Sequence, residues 1–160
     1  MARIGGVDPG AHGALALLVD GVLTDTTHTP VFYVRRGKTD KAEVNGAALA
    51  ALFREWRLDI AVIERVGGIP GQSASASFNF GRAAGVVEGV LHALGVRVDF
   101  VSPPTWRRGL HINPGKDGSR ESACRFWPAR QSDFARVKDT DRAEAALIAL
   151  WRNQQADCMN

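Results

Sequence analysis

Asp59-Ile60-Ala61-Val62-Ile63-Glu64-Arg65-Val66 is the stretch on which the fold turns. Its unbroken apolar run suits a strand buried on both faces inside a sheet, not a half-exposed strand of alternating polarity. The run ends in Glu64, a carboxylate that is costly to bury unless something pairs with it. A divalent cation is one such partner; Arg65 or another base is the plainer one.

Working upstream, residues 3–7 are short and apolar and break at Asp8-Pro9-Gly10, which reads as a strand ending in a turn. Residues 14–19 form a second apolar run. Asp20-Gly21 then signals a hairpin into Val22-Leu23, so three antiparallel strands are expected at the start. Residues 29–38 read as an irregular or edge-strand connection. Asp40 and Glu43 are spaced as a capping box for a helix on which Val44, Ala47, Ala48, Ala51, Leu52 and Trp56 recur at helical intervals.

Downstream, residues 67–77 are rich in Gly, Ser and Ala and read as a loop. A helix is expected over 78–94, with Gly81 and Gly85 on one face permitting close approach of a neighbour at a cost of roughly 1 kcal/mol each in propensity. A last strand over 96–101 closes at Ser102-Pro103-Pro104. Short helices near 105–110 and 119–127 flank a loop through Lys116. A final helix begins near Asp141 and carries Ala143, Ala146, Leu147 and Leu150. This order predicts a single α/β domain over residues 1–160, with a mixed five-stranded sheet flanked by helices. The last ~8 residues are expected to be a loose tail.

The chain is 160 residues long, 45% hydrophobic and 23% charged, which suffices for one ordinary core. Its net charge of +3 is mild, but residues 97–138 hold nine Lys or Arg against four acids, a local excess of five. Such clustering fits either a polyanion partner held through its phosphates or a solvated face. Two cysteines, Cys124 and Cys158, are too few for a disulfide framework and lack metal-site spacing. No apolar run approaches the ~18 residues of a membrane span and no signal segment is evident. A reducing, cytoplasmic setting without membrane contact is therefore expected.

The chemistry-bearing positions are acidic. Asp8 ends the first strand, Glu64 lies in the apolar one, and Asp141 and Glu144 open the last helix. Three residues along an α-helix advance about 300°, so Asp141 and Glu144 share a face, whereas Asp139 and Glu144 diverge by about 140°. Asp141 is thus preferred as the helical ligand, and Asp139 stays open if the helix starts late. Each position also has a plain reading: a turn, a strand-end ion pair, a helix cap. The four histidines show no metal-ligand spacing, although His12 follows the Asp8 turn closely.

Taken in order, these residues resemble the RuvC-like Holliday junction resolvases of the RNase H-like superfamily, closest in style to the short bacteriophage forms. The matching residues are Gly6-Val7-Asp8-Pro9-Gly10, Val62-Ile63-Glu64, Phe80-Gly81-Arg82-Ala83-Ala84-Gly85 and Pro103-Pro104-Thr105-Trp106-Arg107. Lys116 with Ser119-Arg120 follows, and the series closes with Asp141 ahead of Arg142-Ala143-Glu144-Ala145-Ala146-Leu147-Ile148-Ala149. It runs through nearly the whole chain.

The resemblance implies a homodimer, in a bacterial or phage-infected cell, that binds four-way DNA junctions and nicks two strands symmetrically, leaving 5′-phosphate and 3′-hydroxyl ends. Asp8, Glu64, Asp141 and Glu144 would hold Mg²⁺, with Mn²⁺ as a substitute, as two ions roughly 4 Å apart that activate water and stabilise the leaving oxygen. Lys116 matches a basic position beside the scissile phosphate. Arg82, Arg107, Arg108, Lys116 and Arg120 are the candidates for DNA contact. Two departures stand out. Glu144 replaces the aspartate common in bacterial relatives, and Gly67-Gly68 stands where those relatives carry a junction-wedging aromatic, leaving Ile69, Phe78 or Phe80 as replacements.

Two rival classes remain: another nuclease on the same scaffold acting on flaps or RNA–DNA hybrids, and a non-catalytic DNA-binding module. An ATP-binding relative of the sugar-kinase kind would need a duplicated domain, for which 160 residues leave no room.

Overall fold

A computed structural model describes residues 1–157 except Val66, Ile69 and Lys116, with Asp157 described in its backbone alone. The elements run β1 (Arg3–Asp8), β2 (Ala14–Val19), β3 (Val22–His28), β4 (Val31–Arg36), β5 (Thr39–Val44), α1 (Gly46–Trp56) and β6 (Ile60–Glu64). Then come α2 (Ala74–Ala93), β7 (Arg97–Val101), α3 (Pro103–Gly109), α4 (Gly118–Phe126), two short 3₁₀ turns (Pro128–Asp133 and Val137–Asp139) and α5 (Thr140–Asp157).

Five strands form one sheet in the order β3-β2-β1-β6-β7, with β1–β2 and β2–β3 antiparallel and β1–β6 and β6–β7 parallel. This is the mixed sheet expected from the element order. All five residues of β6 are buried, as its apolar run requires. The β2–β3 hairpin closes through Asp20 (φ 49°) and Gly21 (φ 78°), the pair of left-handed residues that a two-residue primed turn needs.

Side-chain alternation divides the core in two. Ile4, Ile60 and Val62 face a layer built on α5 with Trp106, Phe134, Leu147 and Ile148. Val7, Ala61 and Ile63 face the opposite layer, where Leu49 and Phe53 of α1 meet Val87 and Leu91 of α2. Gly6 marks how closely α5 lies on the sheet. A Cβ there would stand 2.0 Å from the Ala145 carbonyl oxygen and 2.8 Å from the Ala149 nitrogen.

Several expectations are corrected. Residues 31–44 form a separate two-stranded hairpin, β4–β5, so of the irregular and edge-strand alternatives for residues 29–38 the strand holds over Val31–Arg36, and the expected helix cap at Asp40 and Glu43 is strand instead. Asp40 and Glu43 lie on β5 and pair with Arg35 (3.1 Å) and Arg36 (2.7 Å) across the hairpin. The cap of α1 is Asn45, whose side chain accepts from the Ala48 nitrogen at 3.0 Å. Ser73 caps α2 in the same way at 3.2 Å, so the Gly/Ser/Ala-rich segment becomes helical one turn before Phe78. Gly81 and Gly85 have open space where a Cβ would go, so they serve no close packing within the described chain. At the other end α5 runs through Asp157, and the last three residues of the expected tail, 158–160, lie outside the described residues.

Candidate active site

The sheet brings the first two carboxylates together by register. Val7 of β1 pairs with Ile63 of β6, and the next step along both parallel strands reaches Asp8 and Glu64 at their C-terminal ends. Period-two alternation carries Asp8 on from Ile4 and Gly6, and Glu64 on from Ile60 and Val62, so both project toward α5. Three residues apart on its first turns, α5 presents Asp141 and Glu144 there, at the helix end whose dipole favours negative charge. All four acids meet at the C-terminal ends of the interior strands β1 and β6.

Their titration records that proximity. Burial pushes the Asp8 carboxyl well above the usual carboxylate range, and the negative charges of Asp141, Glu144 and Glu64 push it further. The Asp8 and Asp141 carboxyls act on each other, an interaction that raises Asp8 and lowers Asp141. Asp141 is itself raised by burial, an effect opposed by His28, by Asp8 and by His12. Glu64, 8% exposed, is raised first by burial. Opposing this, the Trp106 indole Nε1 donates to its Oε1 at 2.7 Å.

Glu144 is held from the other side. Ser119 Oγ donates to its Oε1 at 2.9 Å, and the Arg107 guanidinium pairs with the same oxygen while lying 4.7 Å over the Trp106 ring. Asp139 is engaged elsewhere. Fully buried, it accepts from the Arg136 backbone nitrogen (3.0 Å), Nε (2.9 Å) and NH2 (2.9 Å), which holds its pKa down at about 2. Its carboxylate closes the 3₁₀ turn ahead of α5, and Asp141 is the one whose charge acts on Asp8.

The basic candidates separate. Arg107 lies inside the acidic cluster. The Arg120 guanidinium is spent on the carbonyls of Phe134 (3.4 Å) and Ala135 (2.9 Å) and on Asp117, which braces the loop between α4 and α5. Arg82 pairs with Glu43 at 2.9 Å on the side of the hairpin. Arg108 is exposed on α3. Lys116 lies outside the described residues, as do Cys158 and Ile69.

Sequence reasoning missed three participants: Trp106 as the donor to Glu64, Ser119 as the donor to Glu144, and His28 beside Asp141. A buried tryptophan must satisfy its N–H, so Trp106 amid the polar run of α3 was the available signal for the first. Ser119 stood among the residues that carry the family resemblance, without a role attached, and His28 carried no signal.

The donor set is all carboxylate oxygen, the chemistry of a hard divalent cation such as Mg²⁺. A concentration of buried negative charge, which raises the Asp8 carboxyl, fits such an ion. Among the described residues no three acidic, His or Cys side chains already stand at ligand spacing. The reason is local: Trp106 holds Glu64, and Ser119 with Arg107 holds Glu144.

No family model matches the chain, and no curated protein matches it in sequence. Solved structures do match in shape. Thermus thermophilus RuvC in complex with a Holliday junction substrate superposes with a TM-score of 0.66 at 18% identity, covering 100% of this chain and 98% of that one. The chain has a RuvC-like fold. A second Thermus thermophilus RuvC structure gives 0.62 at 15% identity with 96% of each chain covered. The yeast mitochondrial Holliday junction resolvase Ydc2 gives 0.53 at 12% identity, over 99% of this chain and 82% of that one. The RuvC-like sheet is the RNase H-like mixed sheet read from the sequence. Among its described residues, no helix is long and apolar enough to cross a membrane.

Proposed function

We propose that this protein is a metal-dependent endonuclease that resolves four-way DNA junctions by symmetric phosphodiester hydrolysis, leaving 5′-phosphate and 3′-hydroxyl ends. The observation that carries the reading is the convergence of Asp8, Glu64, Asp141 and Glu144 at the C-terminal ends of β1 and β6, on a fold shared with a protein solved on a Holliday junction. Those four carboxylates would hold Mg²⁺ or Mn²⁺, which supplies Lewis-acid polarisation of the phosphate and activation of water. The chain's own part is to orient them. Trp106 and Ser119 fix Glu64 and Glu144, and burial excludes competing solvent.

Arg82, Arg108 and Lys116 are the proposed phosphate contacts, with Lys116 at the scissile group. A homodimer follows from the resemblance to resolvases. The exposed face of α2 that carries Phe78, Gly81, Gly85 and Gly89 is the surface on which a second copy would approach closely.

Cleavage of a labelled four-way junction in Mg²⁺ or Mn²⁺, beside duplex, flap and RNA–DNA hybrid, tests the reading, with Glu64→Gln in parallel. Paired nicks confined to the junction and absent from Glu64→Gln are expected. Preferential cutting of flap or hybrid would discard the resolvase and keep the site, and binding without cutting in either metal would discard the enzyme. Sedimentation of the free protein tests the dimer.

A further inference from the structure

One element contributes little to either core layer. The β4–β5 hairpin forms its own two-stranded sheet, and residues 35–41 are exposed throughout. A two-stranded ribbon is marginal by itself. Here its base is anchored. Val44 is buried in the α1–α2 layer, the Asn45 nitrogen donates to the Pro30 carbonyl at 2.8 Å, and Glu43 pairs with Arg82 of α2 at 2.9 Å. Its tip is the two-residue loop Gly37-Lys38, closed by the Arg36–Thr39 pair, with Gly37 at φ +63° as such a loop requires. The ribbon is thus pinned at one end and presented to solvent at the other.

Its charge is one-sided. Residues 31–44 hold four cations, Arg35, Arg36, Lys38 and Lys41, against Asp40 and Glu43. Both acids are engaged, Asp40 by Arg35 and Glu43 by Arg36 and Arg82. Lys38 and Lys41 are exposed and have no ion-pair partner among the described residues. Charges of either sign would keep an exposed ribbon from pairing with another chain, whereas an unopposed excess of one sign attracts a counter-charge. Placement says which. Cross-strand alternation puts Lys41 on one face with Arg36 and Glu43, and that face walls a cavity that ends at Asp8 and Asp141. The four carboxylates repel a polyanion everywhere except at a bound metal, so cations beside them are what hold the flanking phosphates.

We infer that the β4–β5 hairpin is an arm that tracks the DNA backbone, on which Lys38 and Lys41 contact phosphates flanking the bond cut at the acids. The inference rests on the nuclease reading above and deepens it. Six residues of strand span roughly 20 Å at about 3.3 Å each, the length of about six nucleotides in one strand of a duplex. The contacts therefore fall within about six nucleotides of the cut and on one run of phosphates. Such contacts fix register and affinity and carry no base information, so the arm adds binding strength without sequence preference.

The test measures binding of a labelled four-way junction in Ca²⁺ across about 50–200 mM salt, for wild type, Lys38→Ala, Lys41→Ala, the double variant and Arg54→Ala. Arg54, exposed in the last turn of α1, is the control for loss of a surface cation. Both lysines are exposed, so the variants retain the fold, which a thermal melt verifies. Each lysine variant should flatten the slope of log K against log salt by about 0.9, and the double variant by about 1.8. The double variant should also bind about tenfold more weakly at low salt, and Lys38→Arg with Lys41→Arg should restore the slope. Junctions with single neutral methylphosphonates locate the contacts. In a run of about six adjacent positions they should weaken wild type and weaken the double variant no further. Unchanged slopes in both lysine variants, equal flattening by Arg54→Ala, or methylphosphonate effects identical in wild type and double variant overturn the arm. A wild type that gives the expected slopes and phosphate run but cuts no DNA in Mg²⁺ or Mn²⁺ overturns the nuclease reading alone.

Discussion

Trp106, fully buried on α3, donates its indole proton to Glu64 at 2.7 Å and thereby holds the central carboxylate of the cluster from behind. Without that donor, burial and the Glu144 charge would be opposed by Arg107 alone, and the Glu64 carboxyl would rise further. Trp106→Phe should cost about 1.5–3 kcal/mol, the worth of a hydrogen bond to a charged group. It should also slow cleavage by about 10–100-fold, as loss of a ligand-orienting partner does. The acidic limb of the pH–rate profile should move upward. A melt paired with that profile separates the two roles, since a merely structural tryptophan would lower stability and leave the limb in place.

Asp8→Asn should stabilise the metal-free protein while abolishing cleavage. The folded-state pKa of Asp8 is raised, so the stability it contributes is present at low pH and is lost as pH rises through that value. At neutral pH the asparagine removes an ionisation that the fold opposes. Each kcal/mol relieved reads as about 2–4 °C in melting temperature for a chain of this size. Added Mg²⁺ should raise the wild-type melting temperature and not the variant's. A metal-free variant that melts below wild type would contradict this account.

Asp139 should behave oppositely to Asp141. Its pKa is depressed to about 2 by Arg136, so its contribution is complete above about pH 4 and is lost as pH falls toward 2. Asp139→Asn should destabilise at neutral pH and flatten the acid limb of stability, measured by urea unfolding between pH 2 and 5. Asp141→Asn should remove cleavage and leave that limb intact.

Ser119→Ala removes one of the two donors on Glu144. Cleavage should fall about tenfold with little change in melting temperature, and titrating Mg²⁺ should show a weaker apparent affinity. Unchanged metal dependence would assign Ser119 to packing alone.

The strands and the late helix were legible because each is built on a continuous or periodic apolar pattern that only one placement buries, as in β6 and in the Ala-rich start of α5. The acids were legible because they interrupt those patterns at element ends. The β4–β5 hairpin was not. Its strand Thr39–Val44 is polar and exposed at its start, and Asp40 with Glu43 mimics a helix cap, while the true cap at Asn45 lies five residues further on. Arg107 and Arg120 read as phosphate contacts because charge alone does not reveal direction. One turns in to Glu144 and the other to backbone carbonyls, partners set by tertiary packing.

Asp8 and Glu64 lie two residues beyond the paired Gly6–Val62, which makes the proposed catalysis a question of parity. Inserting or deleting a single residue between Ile4 and Val7, or between Ile60 and Ile63, would rotate the following carboxylate through the sheet to the α1–α2 side. A loop can be lengthened without that consequence. Within these two short segments length is counted in twos, and an odd change would leave a sheet with its acids on opposite sides of a wall.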